Sequence, residues 1–564
     1  IAVKVENTFS ATEREPVELF LKKDFEYINT GVAIQSGYDA VVMIEDVIDA
    51  GEGKVKLIKP ARPLQNIRVV GESVSAFEML FPQGYKIRAI DIGCLIASTS
   101  GFVKVTKKPK VGIIPTGGEL IEDISELKSG KLMESNTKVF SAMCHELGAE
   151  PKRYDIVPDE KELLKNAVLK AAEENDMVLL NAGSSAGTKD YAVSVLSELG
   201  TVYCHGLAIK PGKPTILAEV KGKPVIGIPG YPVSAQLVFM HVVKPLIERL
   251  LGKKEEKLET AEATLTRRVT SSFKSLEFVR VSLGEVNGKL VMTPLDRGAA
   301  AVMSMVKADG LLYIPRLCEG YEAGETLPVS LLKPLGEIKE KLVLIGSYDM
   351  IIDLISCEVP LSSAHVGSLG GISALLKGAC HIAPIHLLDA ESGEYNIPFI
   401  KKYFKGKKMA LIKGVNRIQG FYCKKGEKVM SLKEVKERKL RFANRQSGAG
   451  TRLLTDYLLK NESIDPEDIN GYDKEFTTHL SVAAAVAGGE FDTGIGVYSA
   501  AKAFGLEFYP LLEESYDFLL SYDTLSDDRV KMFIEYIKSN EFMSLASNAG
   551  GYEFTDIGKI EIIE

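Results

Sequence analysis

The sequence predicts a multidomain α/β protein: a doubly wound central domain with β-rich flanking domains, followed by a second α/β region. Three observations predict this. The apolar runs VGII, MVLL and VIGI end in the small-residue loops PTGGEL (115–120), NAGSSAGTKDY (181–191) and IPGYPVSAQLVF (228–239), and each is followed by a helical pattern. Repeated strand, loop and helix units imply a parallel sheet covered on both faces. A length of 564 residues exceeds what one hydrophobic core normally spans, about 250–300 residues. Hairpin-type punctuation brackets the repeats on both sides.

Taken in order, residues 1–60 read as a β-rich region, with KVEN, YINTG and DAVVMIEDV as short strands and Gly51–Gly53 as a hairpin. Residues 61–107 are expected to hold helical stretches broken by Pro82 and Gly84. The α/β repeats occupy 108–252, and the charged run KKEEK (253–257) marks a boundary. Residues 253–336 are expected to form a small β domain, because Asn287–Gly288 between EV and KLVM is a strong hairpin signal. From 337 to 564 strands and helices alternate again, through KLVLIGSYDMIIDLI, VGSLGGISALLKG, KMALIKG, LRFANRQSGAGTRLLTDYLL and FDTGIGVYSAAKAFG.

Bulk properties narrow the function classes. A net charge of −7 argues against a nucleic-acid scaffold. No apolar run approaches the roughly 20 residues of a membrane span. The seven cysteines are scattered, with no CxxC pair, so reduced thiols in the cytoplasm are expected. The seven histidines show no metal-ligand spacing such as HExxH. The chain begins at Ile1 rather than Met, so residues upstream are expected.

The loops themselves carry chemistry. Strand ends in open α/β sheets leave backbone N–H groups free where ligands bind. Lys210 and Lys213, three apart across Pro211–Gly212 in AIKPGKP (208–214), can place two ammonium groups on one anion. Ser234 follows Pro232 at the start of a predicted helix, where a hydroxyl can cap the helix and bind an oxyanion. Glu119 and Asp190 add carboxylates. The bland readings are helix capping for Ser234 and Asp190, a turn for Asp159, and solvated charge for the lysines. Together the loops describe an anion-handling site.

PTGGEL, NAGSSAGTKDY and AIKPGKP with IPGYPVSA, in that order and spacing, resemble the molybdopterin molybdenumtransferase family, the group that contains the gephyrin E domain. YINTG with DAVVMIEDV (27–47) and GES with FPQG (71–84) match its earlier blocks, so the resemblance covers about residues 1–335. It implies a β region, an elongated interface region, a molybdopterin-binding-type domain and a small β-barrel. It also implies a homodimer whose cleft uses both subunits, and insertion of molybdate or tungstate into adenylylated molybdopterin with release of AMP. The family pattern places Lys210, Lys213 and Ser234 at the molybdate site and Arg280 in the β domain as a bidentate oxyanion ligand. It makes Glu119, Asp159 and Asp190 the functional carboxylates, with Glu119 and Asp190 holding Mg²⁺ beside substrate phosphate. Thr30 matches a further cleft position, and Pro229 and Pro232 shape the PGYP turn. The chain departs from the pattern at Gly118 and Ser73, where acids are usual, and at Gly298–Ala301, where hydroxyls are usual before Ser304. A non-catalytic scaffold or binding module, and more weakly an amidohydrolase, remain the alternatives.

Residues 340–564 resemble type 2 periplasmic-binding-protein domains, a group that includes receptors for molybdate and tungstate. The resemblance implies two lobes around a cleft. Ser347, the loop Ser368–Gly371 (with Gly370), and the loop Ser447–Thr451 each precede a predicted helix, whose free N–H groups and dipole suit an oxyanion. Tyr498 joins them as a cleft residue. Arg445 and Arg452 lie beside the second loop, where they add charge to the site or serve the surface.

Overall fold

A computed structural model describes residues 1–182, 191–254, 256–389 and 392–564. The chain divides into two compact units, Ile1–Lys107 and Lys108–Glu564.

In the first unit, Ala2–Val3 pairs antiparallel with Phe25–Glu26 and Ala40–Val41. A second sheet joins Val17–Phe20, Lys54–Leu57 and Ile48–Gly51, with the expected hairpin at its tip. Val3, Val5, Leu19, Phe25, Val55 and Leu57 form the core between them. The stretch 61–107 corrects the sequence reading: one helix forms, Ala89–Ala97, and Pro82 and Gly84 lie in turns and coil rather than breaking helices. Many of its large apolar residues do not pack inward. Val70, Phe77, Met79, Ile90, Ile96 and Phe102 are all solvent-exposed.

The second unit opens with a six-stranded sheet in the order Glu150–Arg153, Lys110–Pro115, Met177–Ala182, Lys223–Pro229, Ile216–Val220, Gly200–His205. The first four strands run parallel, and Ile216–Val220 runs antiparallel to both of its neighbours. Helices cover both faces: Leu164, Val168 and Leu196 seal one, Phe140, Val238 and Phe239 the other. Both faces being buried explains why VGII, MVLL and VIGI read as unbroken apolar runs.

Thr260–Leu265, Leu276–Val286, Lys289–Pro294, Gly310–Ile314 and Thr326–Leu331 form the following β domain, and Leu276–Val286 pairs with both Lys289–Pro294 and Gly310–Ile314. Asn287 and Gly288 both take positive φ, 51° and 74°, the geometry of the tight hairpin turn that an Asn-Gly step favours.

The C-terminal region packs directly on this β domain. Ser282 and Ser362 hydroxyls meet at 2.8 Å, and Arg529 donates to the carbonyls of Glu285, Lys339 and Lys341. Two fifteen-residue strands, Met409–Cys423 and Glu507–Ser521, pair along their length. At one end they share a core with Leu342, Ile352 and Phe533. At the other, Phe421 packs with Phe442, Leu454 and Ile495. The pair therefore runs through both lobes.

Candidate functional site

The strand Lys110–Pro115 delivers the chain into PTGGEL. Gly117 has φ 139°, and the Glu119 carboxylate folds back to 2.8 Å from where a Cβ on residue 117 would sit. Only glycine allows this close return. The Gly118 N–H donates to Asp159 Oδ2 at 3.3 Å, so Glu119 and Asp159 share one loop cluster, both exposed. With no side chain at 118, Lys131 Nζ reaches the Gly118 carbonyl at 2.6 Å. The Glu119 carboxylate accepts no hydrogen bond and joins no ion pair with the described residues. Asp190 lies outside the described residues.

The ends of neighbouring strands are tied together by a residue the sequence reading missed. Asn136 donates to Asn181 Oδ1 at 3.1 Å and to the Gly230 carbonyl at 2.7 Å. The Asn181 side-chain nitrogen is buried with no partner among the described residues. Pro229 ends its strand and Pro232 opens the helix Pro232–Val238, where its fixed φ suits the first turn. Ser234 is a correction: it is buried inside that turn and makes no capping hydrogen bond, Tyr231 being the extended residue before the helix.

The two lysines differ from each other. Lys210 Nζ lies 3.6 Å from Glu277 Oε1, a buried carboxylate that also takes the Arg297 guanidinium. Lys213 is exposed and joins no ion pair among the described residues. One ammonium thus faces a protein carboxylate, and the other has no ion-pair partner among the described residues. Arg280, on Leu276–Val286, is buried; its Nε donates to Ser304 Oγ at 3.1 Å and its Nη2 to the carbonyls of Asp296 and Gly298. It is a stitch under the loop 296–301 rather than a fully free fork, with Nη1 unpartnered among the described residues. Burial pushes this guanidinium below its ordinary value. Glu277 and Arg297 carry no local signal, because their partners come from distant segments.

In the first unit, Thr30 sits in an exposed turn, and Ser73 accepts from the Arg68 guanidinium. Among the described residues no group of three or more His, Cys, Asp or Glu is placed to hold a metal ion. Glu119 with its unpaired carboxylate is the donor best suited to a hard cation.

The C-terminal loops converge, but around the protein's own charges. Ser347 Oγ meets His386 Nε2 at 2.7 Å, Ser368 Oγ accepts from the His386 N–H at 3.1 Å, and Thr451 Oγ1 accepts from Gln419 Nε2 at 3.0 Å. His386 Nδ1 faces Glu514 at 3.1 Å, and Gln419 donates to the same carboxylate at 2.5 Å. Arg417 reaches Glu514 through Nε and Asp349 through Nη1. Arg417, Glu514 and Asp349 are all buried.

Several predicted ligands are therefore corrected. Ser347 does not open a helix: Asp349 caps Met350–Ile355, and the Ser347 N–H is spent on the Pro384 carbonyl. Gly370 lies within the helix Ser368–Leu376, close against Val366. Ser447 is exposed, its N–H donating to Glu475 at 3.1 Å. Tyr498 stacks edge-on with Phe508 and is about one-third exposed. Arg452 stacks on Tyr472 and pairs with Asp456 and Glu475, whereas Arg445 is buried.

Burial alone would raise the Glu514 carboxyl; the facing Arg417 outweighs it and holds the group at about 2, against an ordinary value of 4.5. A depressed folded-state value stabilises the fold above pH 4.5 and is lost as pH falls towards 2. Acid titration followed by near-ultraviolet circular dichroism should show the C-terminal domain loosening in that window, and Glu514→Gln should flatten the dependence.

Parallel strands delivering Gly-rich loops, followed by a small β domain, define an enzyme scaffold of the molybdopterin-binding class, joined to a C-terminal α/β domain. Residues 1–99 match the MoeA N-terminal region (domains I and II), 112–249 the probable molybdopterin binding domain, 262–332 the MoeA C-terminal region (domain IV), and 356–538 the PBP superfamily domain. The molybdopterin molybdenumtransferase of Haemophilus influenzae is 30% identical over 305 residues, covering 54% of this chain and 76% of that protein. That of Bacillus subtilis is 31% identical over 312 residues, covering 54% and 72%. A crystal structure of the molybdopterin biosynthesis MoeA protein from Pyrococcus horikosii is 34% identical, with a TM-score of 0.49 over 59% of this chain and 86% of that one. The chain belongs to the molybdopterin molybdenumtransferase family.

Proposed function

We propose that the chain inserts molybdate or tungstate into adenylylated molybdopterin with release of AMP, and that its C-terminal domain binds the metal oxyanion for delivery or sensing. The observation that carries the reading is the loop cluster in which Glu119 and Asp159 stand beside each other while Lys213 keeps an uncompensated charge. A dianion placed without countercharge costs many kcal/mol; Lys213 meets it directly, and Lys210 stays poised against Glu277. Mg²⁺ would be held by Glu119 and Asp190 with substrate phosphate oxygens, neutralising charge as AMP departs. Asp159 orients the loop through the Gly118 N–H. The assay is AMP release from authentic adenylylated molybdopterin with Mg²⁺, as molybdate or tungstate is varied.

The enzyme is proposed to work as a homodimer in the cytoplasm. Val70, Phe77, Met79, Ile90, Ile96 and Phe102 expose an apolar surface within residues 70–102, more than scattered surface hydrophobics require, and a second copy is the occupant that the family resemblance supplies. All seven cysteines are free thiols, which suits a reducing compartment. Light scattering at micromolar concentration should give twice the chain mass, and Phe77→Asp with Ile96→Asp should shift it towards the monomer. A monomer mass for the parent protein would overturn the dimer.

A further inference from the structure

In the six-stranded sheet Lys110–Pro115 lies between Glu150–Arg153 and Met177–Ala182. The helix Asn136–Leu147, which follows Lys110–Pro115, covers one face, and Lys161–Glu174, which follows Glu150–Arg153, covers the other. Open α/β sheets bind ligands where the connections part in this way, outside the carboxyl ends of the strands. The backbone ladder runs out at that point, its last pairs being Asn181 with Pro115 and Ala182 with Pro229. Beyond Pro229 the chain is held by a side chain. Asn136 Nδ2 makes two hydrogen bonds, to Asn181 Oδ1 at 3.1 Å and to the Gly230 carbonyl at 2.7 Å. The Asn181 carbonyl in turn accepts from the Thr116 N–H at 2.9 Å and from the Thr116 hydroxyl at 3.1 Å.

This tie joins two chemically different halves. On one side are the acids: Thr116 leads into the loop of Glu119, and Asn181 begins the run that carries Asp190. On the other side is the lysine loop. Gly230 leads into the helix Pro232–Val238, and Gly212 lies so close to that helix that a Cβ there would come within 2.9 Å of Val238 Cγ2. The Val233 N–H donates to the Ala299 carbonyl at 3.0 Å, in the loop stitched by Arg280. Among the described residues Asn136 is the one side chain hydrogen-bonded to both the Asn181 and the Gly230 loops.

Asn136 is itself firmly mounted. The buried Glu134 carboxylate accepts from the Thr137 N–H and hydroxyl, both at 2.8 Å, and Arg153 Nε donates to the same hydroxyl at 3.0 Å. One turn on, Phe140 stacks on Phe239 with centroids 5.5 Å apart, so the helix of Asn136 is clamped to the helical segment that continues from Pro232. Groups that fix a reacting geometry need such rigid support. We propose that Asn136 is a positioning residue that sets the separation between the carboxylate half and the lysine half of the transferase site. This rests on the metal-insertion reading above. An oxyanion met by Lys213 has to reach a substrate whose phosphate lies by Glu119, and a misplacement of about 1 Å between reacting groups costs up to about a hundredfold in rate. Each half keeps its own contacts when the tie is cut, so the loss falls on the chemical step rather than on binding.

Asn136→Asp is the diagnostic substitution. It is the closest in shape, and a carboxylate in the first turn of a helix is favoured by the helix dipole, so a residue kept only to start the helix would accept it. A carboxylate donates no hydrogen bond, however, and the Gly230 carbonyl loses its partner. Asn181 can turn its amide to offer Nδ2, which has no partner among the described residues, so the lysine half alone is released. The test is steady-state AMP release by the full-length protein, varying adenylylated molybdopterin and molybdate in turn. Asn136→Ala and Asn136→Asp should each lower kcat about ten- to a hundredfold, with KM for either substrate moving less than about threefold. Phe140→Leu, which loosens the same helix and touches neither loop, should lower the melting temperature and keep kcat. Parent-like kcat in Asn136→Asp, a loss that falls on KM instead, or an equal loss of kcat in Phe140→Leu overturns the positioning role while AMP release by the parent keeps the transferase reading. A parent protein that releases no AMP overturns that reading and this role together.

Discussion

Lys213→Ala and Glu119→Gln should each lower the rate of AMP release by about two to three orders of magnitude, the effect of deleting one preorganised electrostatic partner of a reacting anion. The two substitutions act differently. Lys213 is exposed and joins no ion pair among the described residues, so its loss removes charge from the anion and leaves the fold intact. Glu119→Gln keeps the shape folded over Gly117 and removes only the charge that a hard cation requires. Lys210→Ala should cost less than Lys213→Ala at the anion. It also leaves Glu277 with Arg297 alone, so a small loss of stability should accompany it. Equal rates for Lys213→Ala and the parent would place the anion elsewhere.

Arg417→Met should be the most destabilising single change in the C-terminal domain, by about 3–5 kcal/mol. The side chain is fully buried between Asp349 and Glu514, and removing it leaves two buried carboxylates facing each other. These must then be protonated or solvated by local unfolding. Denaturant unfolding of the full chain should show an early transition in this variant, and a second change, Glu514→Gln, should recover part of the loss. A variant as stable as the parent would mean that the triad is hydrated rather than sealed.

The parts of this molecule that were legible in the sequence are those whose signals are local. Pro and Gly in PTGGEL, AIKPGKP and PGYP mark turns directly after buried parallel strands, and Asn287–Gly288 marks its hairpin, because turn geometry is dictated by the residues that make it. The stretch 61–107 misled because its apolar residues suggested packed helices, whereas they stay exposed. Long-range electrostatics left no trace. Arg417 and Glu514 are 97 residues apart, and a strand reading NRIQG looks like a surface segment until two lobes close over it. Arg445 was left between charge and surface for the same reason: only the fold shows that it is buried. Ser347, Ser368 and Thr451 hydrogen-bond the protein's own His386 and Gln419, while Ser447 is exposed beside Glu475; the local sequence of a helix-opening hydroxyl does not tell such a partner from a ligand.

The central claim is metal insertion at the Glu119–Lys213 loops, and single-turnover AMP release tests it most directly. With purified protein, authentic adenylylated molybdopterin and Mg²⁺, addition of molybdate or tungstate should release AMP in proportion to enzyme, and Lys213→Ala should abolish the metal dependence. Absence of AMP release at every molybdate and tungstate concentration, from protein shown to be folded and to bind the substrate, would contradict the account and leave a scaffold that has kept the family's shape without its reaction.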